Sequence, residues 1–361
     1  MKSQVDLNKV LKEFNIENII ENYGNGHIND TYLTQAKNYI LQRINTKVFK
    51  NPEELMNNIE NVTGFLRKKI VAYGGNPDRE TLTVIKTNDG KNYFKYDDEN
   101  YFRVYKFIEN TVTIEQVDSP EDMYFAGKGF GKFQALLNDF PVSKLHETIV
   151  DFHNTPKRVE ALKKAAQEDK MGRAALVQKE IDFVLERSES AGIVVSETEK
   201  GNIPVRVTHN DTKINNILFD SDSKEAVCVI DLDTVMPGSA LYDFGDAMRI
   251  GASTAAEDET DLDKVNFNLD NFRYFTKGYA EEMAKFLTPK EIDLLAFSAR
   301  LLTFECGTRF LTDYLEGDTY FKIHRENHNL DRARNQFKLV EDMEKNEDKM
   351  KEIVKEMIEC V

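Results

Sequence analysis

The sequence predicts an α+β chain of two lobes, a small antiparallel sheet followed by a larger, mostly helical lobe. Three observations carry this expectation. The first part of the chain holds short β-rich runs broken by turn residues, with one long amphipathic helix among them. From Pro120 onward apolar residues recur mainly at helical spacing. The 361 residues also exceed what one core usually organises, so two segments are expected, 1–109 and 110–361.

Taken in order, Val5, Leu7, Val10, Leu11 and Phe14 stand near helical spacing and predict an opening helix. Ile19–Leu33 reads as strand, tight turn, strand, because Gly24, Asn25, Gly26 and Asn29 interrupt β-forming residues. Tyr39–Ile44 is a third strand. Pro52 then opens a helix whose Leu55, Met56, Ile59, Val62, Phe65, Leu66 and Ile70 form one stripe. Strand-like runs follow at Thr81–Thr87, Tyr93–Tyr96 and Tyr101–Ile108. Within the helical lobe a β-rich stretch stands out: Val205–Thr208, Ile217–Phe219 and Val227–Ile230, set around the polar loop His209–Asn216. Leu330–Val361 reads as one long charged helix.

Composition narrows the function. A net charge of −15 argues against nucleic acid or an acidic membrane as partner. No apolar run is long enough to span a bilayer, and the first ten residues lack the apolar centre of a signal peptide, so a cytoplasmic location is expected. A monomer is expected as well. Cys228, Cys306 and Cys360 are scattered, which argues against a disulfide framework or a zinc site.

The polar loop reads His209-Asn210-Asp211-Thr212-Lys213-Ile214-Asn215-Asn216, H-x-D-x-x-x-x-N, and runs into an apolar strand. A second apolar strand ends in Ile230-Asp231-Leu232-Asp233. Phosphoryl transfer needs a carboxylate to accept the proton of the attacking hydroxyl, and oxygen ligands for the Mg²⁺ that neutralises the phosphates. Asp211 suits the first role, Asn216 and Asp231 the second. Asp233 is the nearer rival for the metal. Asp243-Phe244-Gly245 spells the metal-binding tripeptide of protein kinases but lies past the Pro237-Gly238 turn at the start of an expected helix. Asp243 is therefore expected to hydrogen-bond loop backbone near His209.

These motifs resemble those of the aminoglycoside phosphotransferase-like kinases, relatives of protein kinases. Within them, Tyr23–Asn29, Val104–Glu109, Val207–Lys213, Met236–Ser239 and Asp313–Asp318 resemble the bacterial N-acetylhexosamine 1-kinases, which phosphorylate the anomeric hydroxyl of N-acetylglucosamine or N-acetylgalactosamine. The resemblance implies a protein-kinase-like two-lobed fold, ATP as donor, Mg²⁺ as cofactor and an N-acetylhexosamine as acceptor. It implies that the turn around Gly24, Gly26 and Asn29, with Thr31 beyond it, meets phosphates, and that the backbone of Phe107, Ile108 and Glu109 meets adenine. It also implies a third-strand cation paired to a helical glutamate. No lysine occupies Tyr39–Ile44, so Arg43 is the candidate, with Gln42 beside it, and Glu60 the candidate partner. Arg309, Tyr320 and His27 match sugar-facing positions. From the residues alone, the glycine turn also reads as a ligand-free hairpin, His27 as a solvated turn residue, Glu60 as a solvated helix charge, and Arg309 as the ion-pair partner of Asp313.

Overall fold

A computed structural model describes residues 5–17, 20–24 and 28–361; Gly26 and His27 lie outside them. In chain order the principal elements of the first stretch are α1 (Leu7–Lys12), β1 (Ile20–Asn22), β2 (Asp30–Thr34), β3 (Tyr39–Asn45), α2 (Pro52–Ala72), α3 (Pro77–Glu80), β4 (Val84–Ile85), β5 (Phe94–Lys95), β6 (Asn100–Lys106) and β7 (Thr111–Val112). The second stretch carries α4 (Pro120–Leu136), α5 (Thr155–Glu168), α6 (Gln178–Glu186), α7 (Ile193–Glu199), β8 (Arg206–Thr208), β9 (Ile217–Asp220), β10 (Ala226–Val229), β11 (Met236–Gly238), α8 (Ala240–Gly251), α9 (Leu269–Met283), α10 (Pro289–Glu316), α11 (His328–Lys345) and α12 (Glu347–Glu359).

These elements form two compact units. The first comprises Met1–Thr113, Asp139–Val150 and Ile217–Pro237; the second comprises Ile114–Asn138, Asp151–Asn216 and Gly238–Val361. The sheet unit thus continues past the division expected at 109 and takes in two later segments.

In the sheet unit the main sheet has the order β1-β2-β3-β6-β4, with β5 also on β6, and every pairing is antiparallel. Strand alternation divides β6 between two faces. Phe102 and Val104 join Val10, Leu11 and Phe14 of the α1 region in one apolar cluster. Arg103 lies on the opposite face, its Nη1 3.9 Å from Met56 Sδ of α2. A second sheet has the order β10-β9-β7.

In the helical unit α4 and α9 pack closely enough to require glycine. A Cβ on Gly278 would stand 2.1 Å from the Tyr124 carbonyl oxygen, and one on Gly127 2.2 Å from that of Phe275. The long α10 is buried along most of its length and is sealed at its start by a Thr288–Glu291 capping box.

Some boundaries differ from expectation. The run Thr81–Thr87 is strand only at Val84–Ile85, because Thr87 folds back to Lys91 in a turn carrying Gly90 at φ +83°. The C-terminal helix is two helices. Asn346 leaves helical geometry at φ −104°, ψ 8°, and its Nδ2 donates to the Asp342 carbonyl 2.9 Å away, ending α11. Among the described residues no helix is long and apolar enough to cross a membrane.

Candidate active site

In the helical unit the polar loop leaves β8 and is held from beneath by Asp243. The two Asp243 carboxylate oxygens accept from the backbone N–H groups of His209 at 2.9 Å and Asn210 at 2.7 Å, and Gln134 Nε2 donates to the same group at 2.6 Å. Asp246 accepts from Thr212 N at 2.8 Å, and the Thr212 hydroxyl donates to the Asp243 carbonyl at 2.6 Å. Asn210 takes a left-handed conformation at φ 65°, which an asparagine tolerates and which turns the chain toward Asp211. His209 is fully buried, edge-on to Phe130 and Phe133, and its Nδ1 accepts from Asp211 N at 3.3 Å. It orients the loop.

The rest of the kinase-like tripeptide serves packing. Phe244 is in the core, and a Cβ on Gly245 would meet the Ser298 carbonyl oxygen of α10 at 2.3 Å.

The Asp211 side chain is one-quarter exposed. Lys213 Nζ lies 3.0 Å from Oδ1, and Asn216 Nδ2 donates to Oδ2 at 3.2 Å and to the Asp211 carbonyl at 2.8 Å. Burial alone would push the Asp211 carboxyl up, but Lys213 and His209 outweigh it and hold it below the usual carboxylate range. Asp211 is thus ionised at neutral pH and fixed in orientation, with lone pairs left for an incoming hydroxyl.

Arg309 lies among aromatic rings, its guanidinium 5.4 Å from Phe152, 5.8 Å from Tyr320 and 5.4 Å from Phe321. Asp313, four residues on, accepts instead from the backbone of Thr319, Tyr320 and Phe321 at 2.8–2.9 Å, and so fixes the segment bearing Tyr320. One turn before Arg309, Glu305 bonds His153 Nδ1 at 2.8 Å, and His153 Nε2 faces the Asn210 carbonyl at 3.3 Å. The Arg309 helix is thereby tied to the polar loop. Sequence reasoning missed His153, Glu305 and Asp246; a histidine and a glutamate far apart in sequence give no local pattern.

In the sheet unit Gly24 takes φ +73°, the left-handed conformation expected of a turn glycine. Asn29 bonds in two directions: its Oδ1 accepts from Asn45 N at 3.0 Å, and its Nδ2 donates to Asp233 Oδ2 at 2.7 Å. Thr31 accepts from Gln42 Nε2 at 3.1 Å. The expected Arg43–Glu60 pair does not form. Arg43 pairs with Asp30, its register neighbour on β2, at 3.4 Å, while Glu60 is held by Lys86 and by Asn92. The cause is strand alternation. Gln42 lies on the face covered by α2, so Arg43 points to the other. Phe107 N donates to the Asn38 carbonyl at 2.8 Å, and the Phe107 ring meets Tyr23 edge-on at 6.2 Å. The Ile108 carbonyl accepts from the Thr111 hydroxyl at 2.8 Å, and the Glu109 carbonyl from Arg79 at 2.6 Å.

Asp231 and Asp233 part company. Asp231 is exposed and left-handed at φ 57°, and the next residues, Leu232–Thr234, form a 3-10 turn instead of the extended strand expected. Asp233 is only 3% exposed and forms an ion pair with Arg103, itself 1% exposed. Asp231 in the sheet unit and Asn216 in the helical unit each carry an oxygen donor of the kind a hard cation takes. The Asn216 Nδ2 is engaged by Asp211, which leaves its amide oxygen as the ligating atom.

Solved structures of low sequence identity share the fold. A microcompartment-associated aminopropanol kinase matches with a TM-score of 0.60 at 16% identity, over 95% of this chain and 97% of its own. An aminoglycoside phosphotransferase from Alicyclobacillus acidocaldarius matches with a TM-score of 0.61 at 10% identity, over 100% and 98%. An amicoumacin kinase in complex with AMP-PNP and Ca²⁺ matches with a TM-score of 0.58 at 12% identity, over 91% and 88%. The sequence profile of the phosphotransferase enzyme family matches residues 19–279, a span that includes the polar loop and Asp231, and the chain belongs to that family.

Proposed function

We propose that the protein transfers the terminal phosphoryl group of ATP to the anomeric hydroxyl of an N-acetylhexosamine, giving the sugar 1-phosphate. The observation that carries the chemistry is Asp211, ionised, bonded on both oxygens and seated on a loop braced by Asp243. In this reading Asp211 takes the proton of the attacking hydroxyl. Asn216 and Asp231 hold Mg²⁺, which when bound neutralises the phosphate oxygens. The turn at Gly24 and Asn29, with Gly26 and Thr31, receives phosphates; Arg43 and Glu60 retain no mutual contact to support a shared role there. The Phe107–Glu109 backbone receives adenine.

The acceptor is argued from Arg309. A guanidinium among aromatic rings repels an ammonium group and suits a neutral sugar that offers hydroxyl and carbonyl oxygens. Tyr320, its segment fixed by Asp313, shares the role proposed for Arg309; His27, outside the described residues, is proposed for the sugar on the family resemblance alone. The second reading is another small hydroxyl acceptor: an aminoglycoside, a choline-like alcohol or a different sugar. The aminopropanol and amicoumacin kinases, similar in fold, motivate it.

Turnover of a panel of N-acetyl sugars and amino alcohols separates the two readings. A sugar phosphate labile in mild acid is expected, and an acid-resistant product would place the phosphate on another hydroxyl. Asp211→Asn should lose about 10²–10⁴-fold in turnover with the fold retained; a loss of only a few-fold would rule out its role as base.

A further inference from the structure

The sheet unit holds a row of hydrogen-bonded polar side chains, half-buried at Thr31, Gln42 and Asn29 and fully buried at Arg103 and Asp233. Thr31, Gln42 and Arg103 are register neighbours across β2, β3 and β6. Gln42 Oε1 accepts from Arg103 Nε at 3.0 Å and Nη2 at 2.8 Å, and Gln42 Nε2 donates to Thr31. Arg103 Nη1 bonds Asp233 Oδ1, and Asp233 Oδ2 receives Asn29. The row therefore runs from the middle of the sheet to Asp233, and from there to Asn29. Both ends of the Arg103 guanidinium are used, and the side chain has almost no surface, so it cannot contact a nucleotide.

We propose that Arg103 is a positioning residue for the metal-nucleotide site. By pairing with Asp233 it fixes the turn that presents Asp231 two residues earlier, and through Asp233 it fixes Asn29. One buried ion pair thus sets both the metal ligand and Asn29 of this unit. It also gives the two aspartates separate roles, with Asp233 consumed inside and Asp231 presented outside. The inference rests on the reading of Asp231 as a metal ligand. A buried pair is poor evidence for stability, since two well-packed apolar groups often serve as well. That makes a positional role testable apart from folding.

The test uses the full chain and binding of AMP-PNP measured by calorimetry across a range of Mg²⁺ concentrations, beside thermal melting. The double variant Arg103→Met with Asp233→Leu removes both charges together. It is expected to melt close to the wild type yet to need about 10- to 100-fold more Mg²⁺ for half-maximal binding, the usual cost of losing a ligand-orienting partner. Arg103→Lys keeps the charge but not the planar fork, and should show a smaller rise in the same quantity. Wild-type Mg²⁺ dependence in either folded variant would overturn the inference. Asp231→Ala, run in parallel, separates the two claims. If it retains Mg²⁺ dependence, the metal reading falls and the inference with it. If it loses Mg²⁺ dependence while the double variant keeps it, only the inference falls.

Discussion

In the sheet unit Asp233 is buried against a guanidinium; in the helical unit Asp243 is buried against two backbone N–H groups and a glutamine amide. Both carboxylates lie beneath a segment that carries a candidate catalytic group, Asp231 in one case and Asp211 in the other. They hold it by different physics. The Arg103–Asp233 pair is a match of two full charges, and removing one strands the other in low dielectric. Asp243 is a carboxyl that burial pushes up and that dipoles hold in place, and removing it strands neutral donors, each at the lower cost of an unmade hydrogen bond. The ion pair can therefore be deleted as a unit, whereas the Asp243 brace has no apolar equivalent because two of its partners are main-chain N–H groups.

The largest expected effect follows from the first half of this comparison. Asp233→Leu alone should destabilise the protein by about 3–5 kcal/mol, because Arg103 stays buried and unpaired. Adding Arg103→Met should recover most of that loss in a denaturant titration. Equal instability of the single and double variants would mean that the pair acts through packing and not through charge.

The second prediction tests the Asp243 brace. Asp243→Asn keeps the shape but offers one acceptor oxygen where two are used, so one of His209 N and Asn210 N loses its partner. A loss of about 1–3 kcal/mol is expected, with no change in the Mg²⁺ dependence of AMP-PNP binding. A weakened Mg²⁺ dependence at unchanged stability would instead assign this aspartate to the metal.

The contrast also explains what the sequence disclosed. The loop His209–Asn216 is legible because its roles are packed into eight consecutive residues, and Asp243 because the helix-start pattern after Pro237-Gly238 excludes an exposed strand end. The strand–turn–strand opening and the apolar stripe of α2 are likewise local patterns. The Arg103–Asp233 pair joins residues 130 positions apart. Its sole local sign is a charge inside the apolar run Tyr101-Phe102-Arg103-Val104-Tyr105, a position that burial permits only with a partner. The expected Arg43–Glu60 contact is absent for a related reason. Which face of β3 meets α2 is set by sheet packing, and a shift of one residue reverses every side chain.

The third prediction concerns a smaller, titratable link of the same helical unit. Glu305 is buried with His153 on one oxygen and Thr155 on the other, and His153 reaches the Asn210 carbonyl behind Asp211. Burial alone would raise the Glu305 carboxyl, but His153, Arg309 and the Thr155 hydroxyl outweigh it and leave it below its ordinary 4.5. A carboxyl whose folded pKa is lowered stabilises the fold above its unfolded pKa, and that contribution is lost as pH falls through the folded value. Glu305→Gln replaces a charge-assisted bond with a neutral one and should cost about 1 kcal/mol at neutral pH. Comparing the two proteins at each pH cancels the groups remote from Glu305, so the difference in melting temperature reports the Glu305–His153 link. Calorimetric melting should show a clear gap at pH 7 that narrows as the pH is lowered below 4.5. A gap that stays constant across that range would mean that Glu305 is not held as the carboxylate, and that His153 is oriented by shape and not by charge.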